Sequence, residues 1–255
     1  METGQRLRPI ALGTLGVLTV LLAWQLIRVT NFVPENFLPG PVPVLGRVPD
    51  LFGAEEFRGG VVDTIQAWAI ALGLATLVGV VIGALSIAIP GLAAPTSVVV
   101  DAFRAIPSTA LIPIAILLWG LGTEMKVAVA VYAIVWPILI NTIYGLSSVE
   151  PMRIDAARSM RFSWLRTQLS VSLPSALPSI FTGIRIASGS ALVVVISTEL
   201  VGALSGVGTV LVSYQRAGRS DYVIAGTVIV GVLGVIIYSA ITWLEHRTVK
   251  WKSVA

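Results

Sequence analysis

A single histidine, His246, and no cysteine leave little for conventional catalysis. Thiol nucleophiles, Cys-based zinc or iron–sulfur ligation and His-based metal or triad chemistry all lack their residues. The sequence contains no G-x-x-x-x-G-K-[ST] phosphate loop and no G-x-S-x-G nucleophile elbow. The remaining candidates are charged residues in or beside long apolar runs: Asp101, Arg104, Arg185 and Glu199. Ionisable side chains at membrane depth pair with each other or mark solute and ion pathways. Near the end of a span they also reach for the interface, which is the structural reading of the same residues. Asp101 and Arg104 stand three apart, so they pair on one helical face.

The runs that position these charges dominate the composition. Hydrophobic residues make up 56% and charged residues 12% of 255, against about 25% charged in soluble domains. The mean hydropathy is +0.91. A soluble enzyme and a disordered chain are both excluded. The net charge of +4 fits basic loops on one side of a membrane better than a nucleic-acid surface. Six stretches reach the roughly 20 apolar residues that a bilayer needs. They are about Ile10–Ile27, Val61–Ile89, Val98–Gly120, Val127–Leu146, Pro178–Val201 and Tyr222–Leu244. The prediction is an all-α membrane protein with six transmembrane helices, a single transmembrane domain over residues 1–255. The first run is long for a signal peptide, and Arg28-Val29-Thr30 is not a small-residue cleavage site, so an uncleaved helix is expected.

Lys and Arg set the orientation. Arg6, Arg8, Arg153, Arg158, Arg161, Arg166, Arg247, Lys250 and Lys252 fall on one side. Arg28, Arg47, Arg58, Lys126, Arg216 and Arg219 fall on the other, with most loop acids. Both termini are therefore expected in the cytoplasm.

The segment of about Ser147–Leu177, between the fourth and fifth spans, reads as a short basic amphipathic cytoplasmic helix. Pro151 suits a first helical position, and Glu150 suits its positive end. Ile154, Ala157, Met160 and Trp164 mark an apolar stripe, and Asp155, Arg158 and Arg161 share a charged face. Leu173-Pro174 and Leu177-Pro178 are expected to break the helix before the next span. These residues fit a helix on anionic lipid and a protein-docking helix equally. Elsewhere, Gly79, Gly83, Gly183, Gly189, Gly226, Gly231 and Gly234 allow close helix packing. Pro107, Pro113 and Pro137 favour kinks, and the prolines of Leu38–Val44 favour an extended or turning chain.

The cytoplasmic segment resembles the coupling motif of binding-protein-dependent ABC importer permeases: Glu-Ala-Ala, three residues, Gly, and some nine residues to Ile-x-Leu-Pro. Here it stands as Asp155-Ala156-Ala157, Arg158-Ser159-Met160, Arg161, then Val171-Ser172-Leu173-Pro174. Asp keeps the charge of Glu, whereas Arg161 replaces the Gly and removes a flexible turn. Further likenesses are to the subgroup serving aliphatic sulfonates, taurine, nitrate and thiamine precursors. They are Leu38-Pro39-Gly40-Pro41, Arg104-Ala105-Ile106-Pro107, Ala110-Leu111-Ile112-Pro113 and Trp119-Gly120-Leu121-Gly122. Pro137 to Thr142, Pro174-x-x-x-Pro178-x-Ile180-x-x-Gly183-x-Arg185, Glu199-Leu200-Val201-Gly202 and Gly206-Val207-Gly208 complete the series.

The resemblance implies a type I ABC importer permease in the bacterial inner membrane, with no catalysis and no cofactor of its own. It implies a second permease copy, two cytoplasmic ATPases that bind ATP and Mg, an extracytoplasmic solute-binding protein and surrounding lipid. The solute expected is a sulfonate, nitrate, bicarbonate or similar anion, or a pyrimidine. Asp155, Ala156, Ala157, Arg158, Met160, Arg161 and Trp164 would couple to the ATPase, with Ala157 at the closest approach. A path is expected along the third and fifth spans, past Arg104, Pro107, Ser108, Thr109, Ser188, Ser190, Ser197, Thr198 and Glu199. The loops Asn31–Gly60 and Gly202–Asp221 would face the binding protein. A secondary transporter or channel is the alternative, but it would want a carboxylate relay at the midplane.

Overall fold

The computed structural model describes residues 3–30 and 32–249, with side chains from residue 12 onward. Lys250, Lys252 and the side chains of Arg6 and Arg8, used above for orientation, and Asn31, the first residue of the loop Asn31–Gly60, lie outside the described part. The described residues form twelve α-helices. These are α1 (Thr3–Val29), α2 (Pro41–Gly46), α3 (Val48–Gly53), α4 (Glu55–Ala88), α5 (Ala93–Arg104) and α6 (Ile112–Trp119). Then come α7 (Thr123–Ser147), α8 (Pro151–Ser159), α9 (Trp164–Thr167), α10 (Leu173–Val201), α11 (Val207–Arg216) and α12 (Ser220–Thr248). Five helices are long and apolar enough to cross a membrane, and the count is six if α5 and the stretch Ser108–Trp119, bent against each other, make one span.

Proline punctuates this pattern. Pro lies in the first turn of α2, α3, α6, α8 and α10, where no intrahelical N–H is lost. The third span was expected as one helix with kinks. Instead α5 and the stretch Ser108–Trp119 meet at 76°. Pro107, at φ −61° and ψ 120°, cannot continue the helix, and Pro disfavours helical backbone before it. Pro113 starts α6 rather than kinking it. Leu38–Val44 is not simply extended, because Pro41 opens α2. The break expected at Leu173-Pro174 and Leu177-Pro178 is also absent. A π-helical turn over Gln168–Ser172 leads directly into α10, which runs through Pro178.

Two compact units divide the chain: Met1–Arg58 with Val210–Val230, and Gly59–Thr209 with Gly231–Ala255. In the first, Val44, Leu51 and Phe57 are fully buried. Arg47 bridges to Asp221 at 2.7 Å and to Asp50 at 3.3 Å, and these carboxylates raise its pKa further above the usual guanidinium value. The Tyr222 hydroxyl donates to Asp50, and the Arg219 guanidinium lies 3.9 Å from the centre of the Tyr222 ring.

In the second unit α4, α7 and α10 pack together, each against the other two. One layer joins Ala67 and Ala71 of α4 to Met125, Val129 and Ala130 of α7 and Val194 and Val195 of α10. The next joins Leu72 and Ala75 to Ile134, Val135 and Ile138 and to Ala187 and Ala191. The approach is close enough to require glycine. A Cβ on Gly83 would stand 2.8 Å from the Thr142 Cβ, and one on Gly183 would stand 2.9 Å from the Pro137 carbonyl oxygen. Gly189 and Gly231, expected to serve the same purpose, have nothing within 4 Å.

Candidate functional site

The segment expected to couple is built from α8, a tight turn and α9. Glu150 precedes α8 and pairs with Arg153 at 3.1 Å, and Asp155 faces Arg158 at 3.6 Å; all four are exposed. The helix expected to run through Arg166 ends at Ser159. Arg161 adopts φ +58°, the one non-glycine residue with positive φ among the described residues. Its N–H donates to the Arg158 carbonyl at 2.8 Å, and the Phe162 N–H reaches back to Ala157 at 3.1 Å. These two bonds make a Schellman turn with Arg161 in the left-handed position usually given to Gly. So the departure from the motif leaves the turn in place and puts a charged side chain on it. Ser163 then caps α9, its hydroxyl accepting from the Arg166 N–H at 3.3 Å.

Two parts of the expected docking face change. Ala157, expected at the closest approach to a partner, is 1% exposed, its methyl covered by the chain itself. Met160 and Trp164 leave the buried stripe because the turn redirects the chain between them. They are 63% and 61% exposed, with Met152 and Leu165 also outward. Between α8 and the start of α10 lies a groove of about 430 Å³ lined by Arg153, Ala156, Ser170, Val171, Pro174 and Ser175.

The intramembrane charges divide. Arg104 is exposed and pairs with Asp101 at 3.0 Å, as their spacing predicted. Glu199 does not snorkel: it is buried with Lys126, whose Nζ lies 3.2 Å from Oε1. The Thr64 hydroxyl faces both carboxylate oxygens at 2.9 and 3.0 Å, and the Gly208 N–H donates to Oε2 at 3.0 Å. Lys126 also donates to the Ser205 carbonyl, and the Val207 N–H donates to the Thr64 hydroxyl. The turn Gly202–Gly208 is thus wrapped around one carboxylate. A Cβ on Gly206, at φ +120°, would collide with the Glu199 carboxylate, so the turn closes directly on it. Lys126 and Thr64 were missed from sequence. Lys126 was placed in an outside loop, although a lone Lys at the border of an apolar run is a recognisable partner for a lone Glu at the border of another. Arg185 lies within α10 rather than at a helix start, and pairs with Glu245 of α12.

Of the remaining expected path residues, Ser188 and Thr198 are buried, Ser108 and Ser197 are half-buried, and Pro107, Thr109 and Ser190 are exposed. Ser188, Ser197 and Thr198 donate to carbonyls of their own helix. Among the described residues no group of three His, Cys, Asp or Glu side chains is placed to hold a metal ion.

A family model described as "Binding-protein-dependent transport system inner membrane component" matches residues 75–250. The aliphatic sulfonates transport permease protein SsuC of Bacillus subtilis (strain 168) is 29% identical, over 94% of this chain and 87% of that protein. The taurine transport system permease protein TauC of Escherichia coli (strain K12) is 28% identical, over 95% and 89%. The bicarbonate transport system permease protein CmpB of Synechococcus elongatus is 29% identical, over 95% and 90%. A chain of the inward-facing MetNI methionine ABC transporter superposes with a TM-score of 0.66 at 21% identity, over 74% of this chain and 94% of that one. A chain of an amino acid ABC transporter gives 0.62 at 15% identity, over 81% and 97%.

Proposed function

The chain belongs to the binding-protein-dependent transport system inner membrane component family, and from that premise we propose how its parts divide the work of transport. It is the permease subunit of an ABC importer, a multi-pass inner-membrane protein. The 255 residues act as one transmembrane permease domain with both termini in the cytoplasm. ATP is bound with Mg and hydrolysed on two separate ATPase subunits, an extracytoplasmic protein delivers the solute, and a second copy of the chain completes the permease.

The observation that carries the coupling reading is the exposed apolar set Met152, Met160, Trp164 and Leu165 among Arg153, Arg158, Arg161 and Arg166. Apolar side chains rimmed by charge mark interaction surfaces, and aromatic and Arg residues dominate such contacts. Asp155, Ala156, Arg158, Met160, Arg161 and Trp164 face the ATPase; Ala157 seats α8 on the permease. Co-purification tests this. Met160→Ala combined with Trp164→Ala should lose the cognate ATPase and uptake while the lone permease keeps its melting temperature. Undiminished ATPase retention sinks the assignment.

SsuC, TauC and CmpB are named for sulfonates, taurine and bicarbonate, which share a compact oxyanion. The solute proposed here is a small molecule of that chemistry. Arg104, Pro107, Ser108 and Thr109 at the broken span and Ser190 and Ser197 on α10 line its path. Buried Ser188, Thr198 and Glu199 hold that wall from behind.

A further inference from the structure

The segment between the first two spans holds two short helices with apolar side chains on the outside. Val44 and Leu51 point inward and are fully buried. Phe37, Val42 and Leu45 point outward, Val42 being 78% and Leu45 50% exposed. Apolar groups that stay exposed in this way need a solvent other than water, and their depth identifies it.

That depth is fixed by α1. The Trp24 indole N–H donates to the Pro39 carbonyl at 3.1 Å. A Cβ on Gly40 would lie 3.5 Å from the Gln25 Oε1 and 3.6 Å from the Arg28 Cγ. Residues 39 and 40 therefore lie beside residues 24–28 of the span Leu12–Val29. Trp24 is five residues before Val29, about 7 Å back along the helix axis. The chain leaves the first span, turns at residues 34–38 and returns to that depth before α2 begins. At the other end Arg47 is tied to Asp221 and Asp50 to Tyr222, at the border of the apolar run of α12. Its polar residues, Arg47 and Asp50, thus meet the border of one span, while Val42 lies within a turn of a glycine packed beside Gln25 and Arg28 in the last residues of another.

We propose that α2 and α3 form an interfacial anchor. Phe37, Val42 and Leu45 insert into the headgroup–acyl boundary of the leaflet in which α1 ends, while Arg47 and Asp50 stay at the polar rim. The occupant of this face is lipid. Amphipathic elements of this kind sit about 5–10 Å into that boundary, and Trp24 is a residue type enriched at that level. A surface kept for a soluble partner would have to leave the same side chains in water between encounters. The anchor rests on the chain spanning a membrane and on the contacts of this unit, and holds whatever the solute.

The sequence has no cysteine, so single-Cys variants of the full chain can be spin-labelled in lipid nanodiscs. Val42→Cys and Leu45→Cys are compared with Val20→Cys in the first span and Ala217→Cys in the exposed turn before α12. Collision with oxygen relative to a water-soluble nickel chelate should be severalfold higher at positions 42 and 45 than at 217, approaching the value at 20. A ratio equal to that at 217 overturns the anchor. Exclusion of both reagents also overturns it, since that would mean protein, not lipid, covers the face. Either variant alone decides the question if the other fails to insert.

Discussion

Lys126 Nζ and Glu199 Oε1 lie 3.2 Å apart with neither side chain exposed, so an ion pair ties the first turn of α7 to the last turn of α10. Removing one partner of such a pair strands a buried charge, which costs about 3–5 kcal/mol. Lys126→Met and Glu199→Gln should each lower the unfolding temperature of the purified permease sharply. The double variant should be more stable than the sum of the two losses predicts. Additive losses in a double-mutant cycle would show that the pair contributes nothing as a pair.

Gly183 and Gly189 separate packing from conformation on one helix. Gly183→Ala drives a methyl into Asn141 and the Pro137 carbonyl, and overpacking typically costs about 1–3 kcal/mol. Gly189 has free space, so Gly189→Ala should hold or raise stability by up to about 1 kcal/mol. Thermal unfolding in detergent compares them; equal losses would argue against the close α7–α10 approach.

Arg161 carries the cost of a left-handed conformation, so Arg161→Gly should stabilise the α8–α9 turn by about 1 kcal/mol. Arg161→Val should loosen it, because a branched Cβ suits positive φ still less. Hydrogen exchange at the Arg161 and Phe162 amides reads both. Slower exchange with Gly and faster with Val is expected, and unchanged rates would refute the turn.

Ala157→Trp should act on the permease itself. The methyl is buried against its own chain, so the indole displaces α8 and accelerates exchange across Pro151–Ser159 in the isolated permease. Loss of the ATPase with unchanged exchange would instead put Ala157 at the partner interface.

Much was legible because it depends on composition and local chemistry. Apolar runs about 20 residues long dictate spans, since lipid offers no partner for an unpaired backbone. Asp101 and Arg104 pair because three residues nearly complete a helical turn. The turn after α8 forms despite Arg161, because its hydrogen bonds are made by backbone, and a side chain at positive φ raises its energy without removing them.

Other features depend on residues far apart in the chain. Glu199 looked like an interfacial charge until Lys126, Thr64 and Gly208 were brought around it. The inward seat of Ala157 depends on where α8 meets the π-helical turn before α10. The bend at Pro107 was visible as a proline, but not as a 76° break. By itself the sequence determined the solvent of each segment, because burial in lipid is a property of a run of side chains. Only the tertiary structure decided which charges meet, because a pair across seventy-three residues is set by helix packing, and no local pattern encodes it.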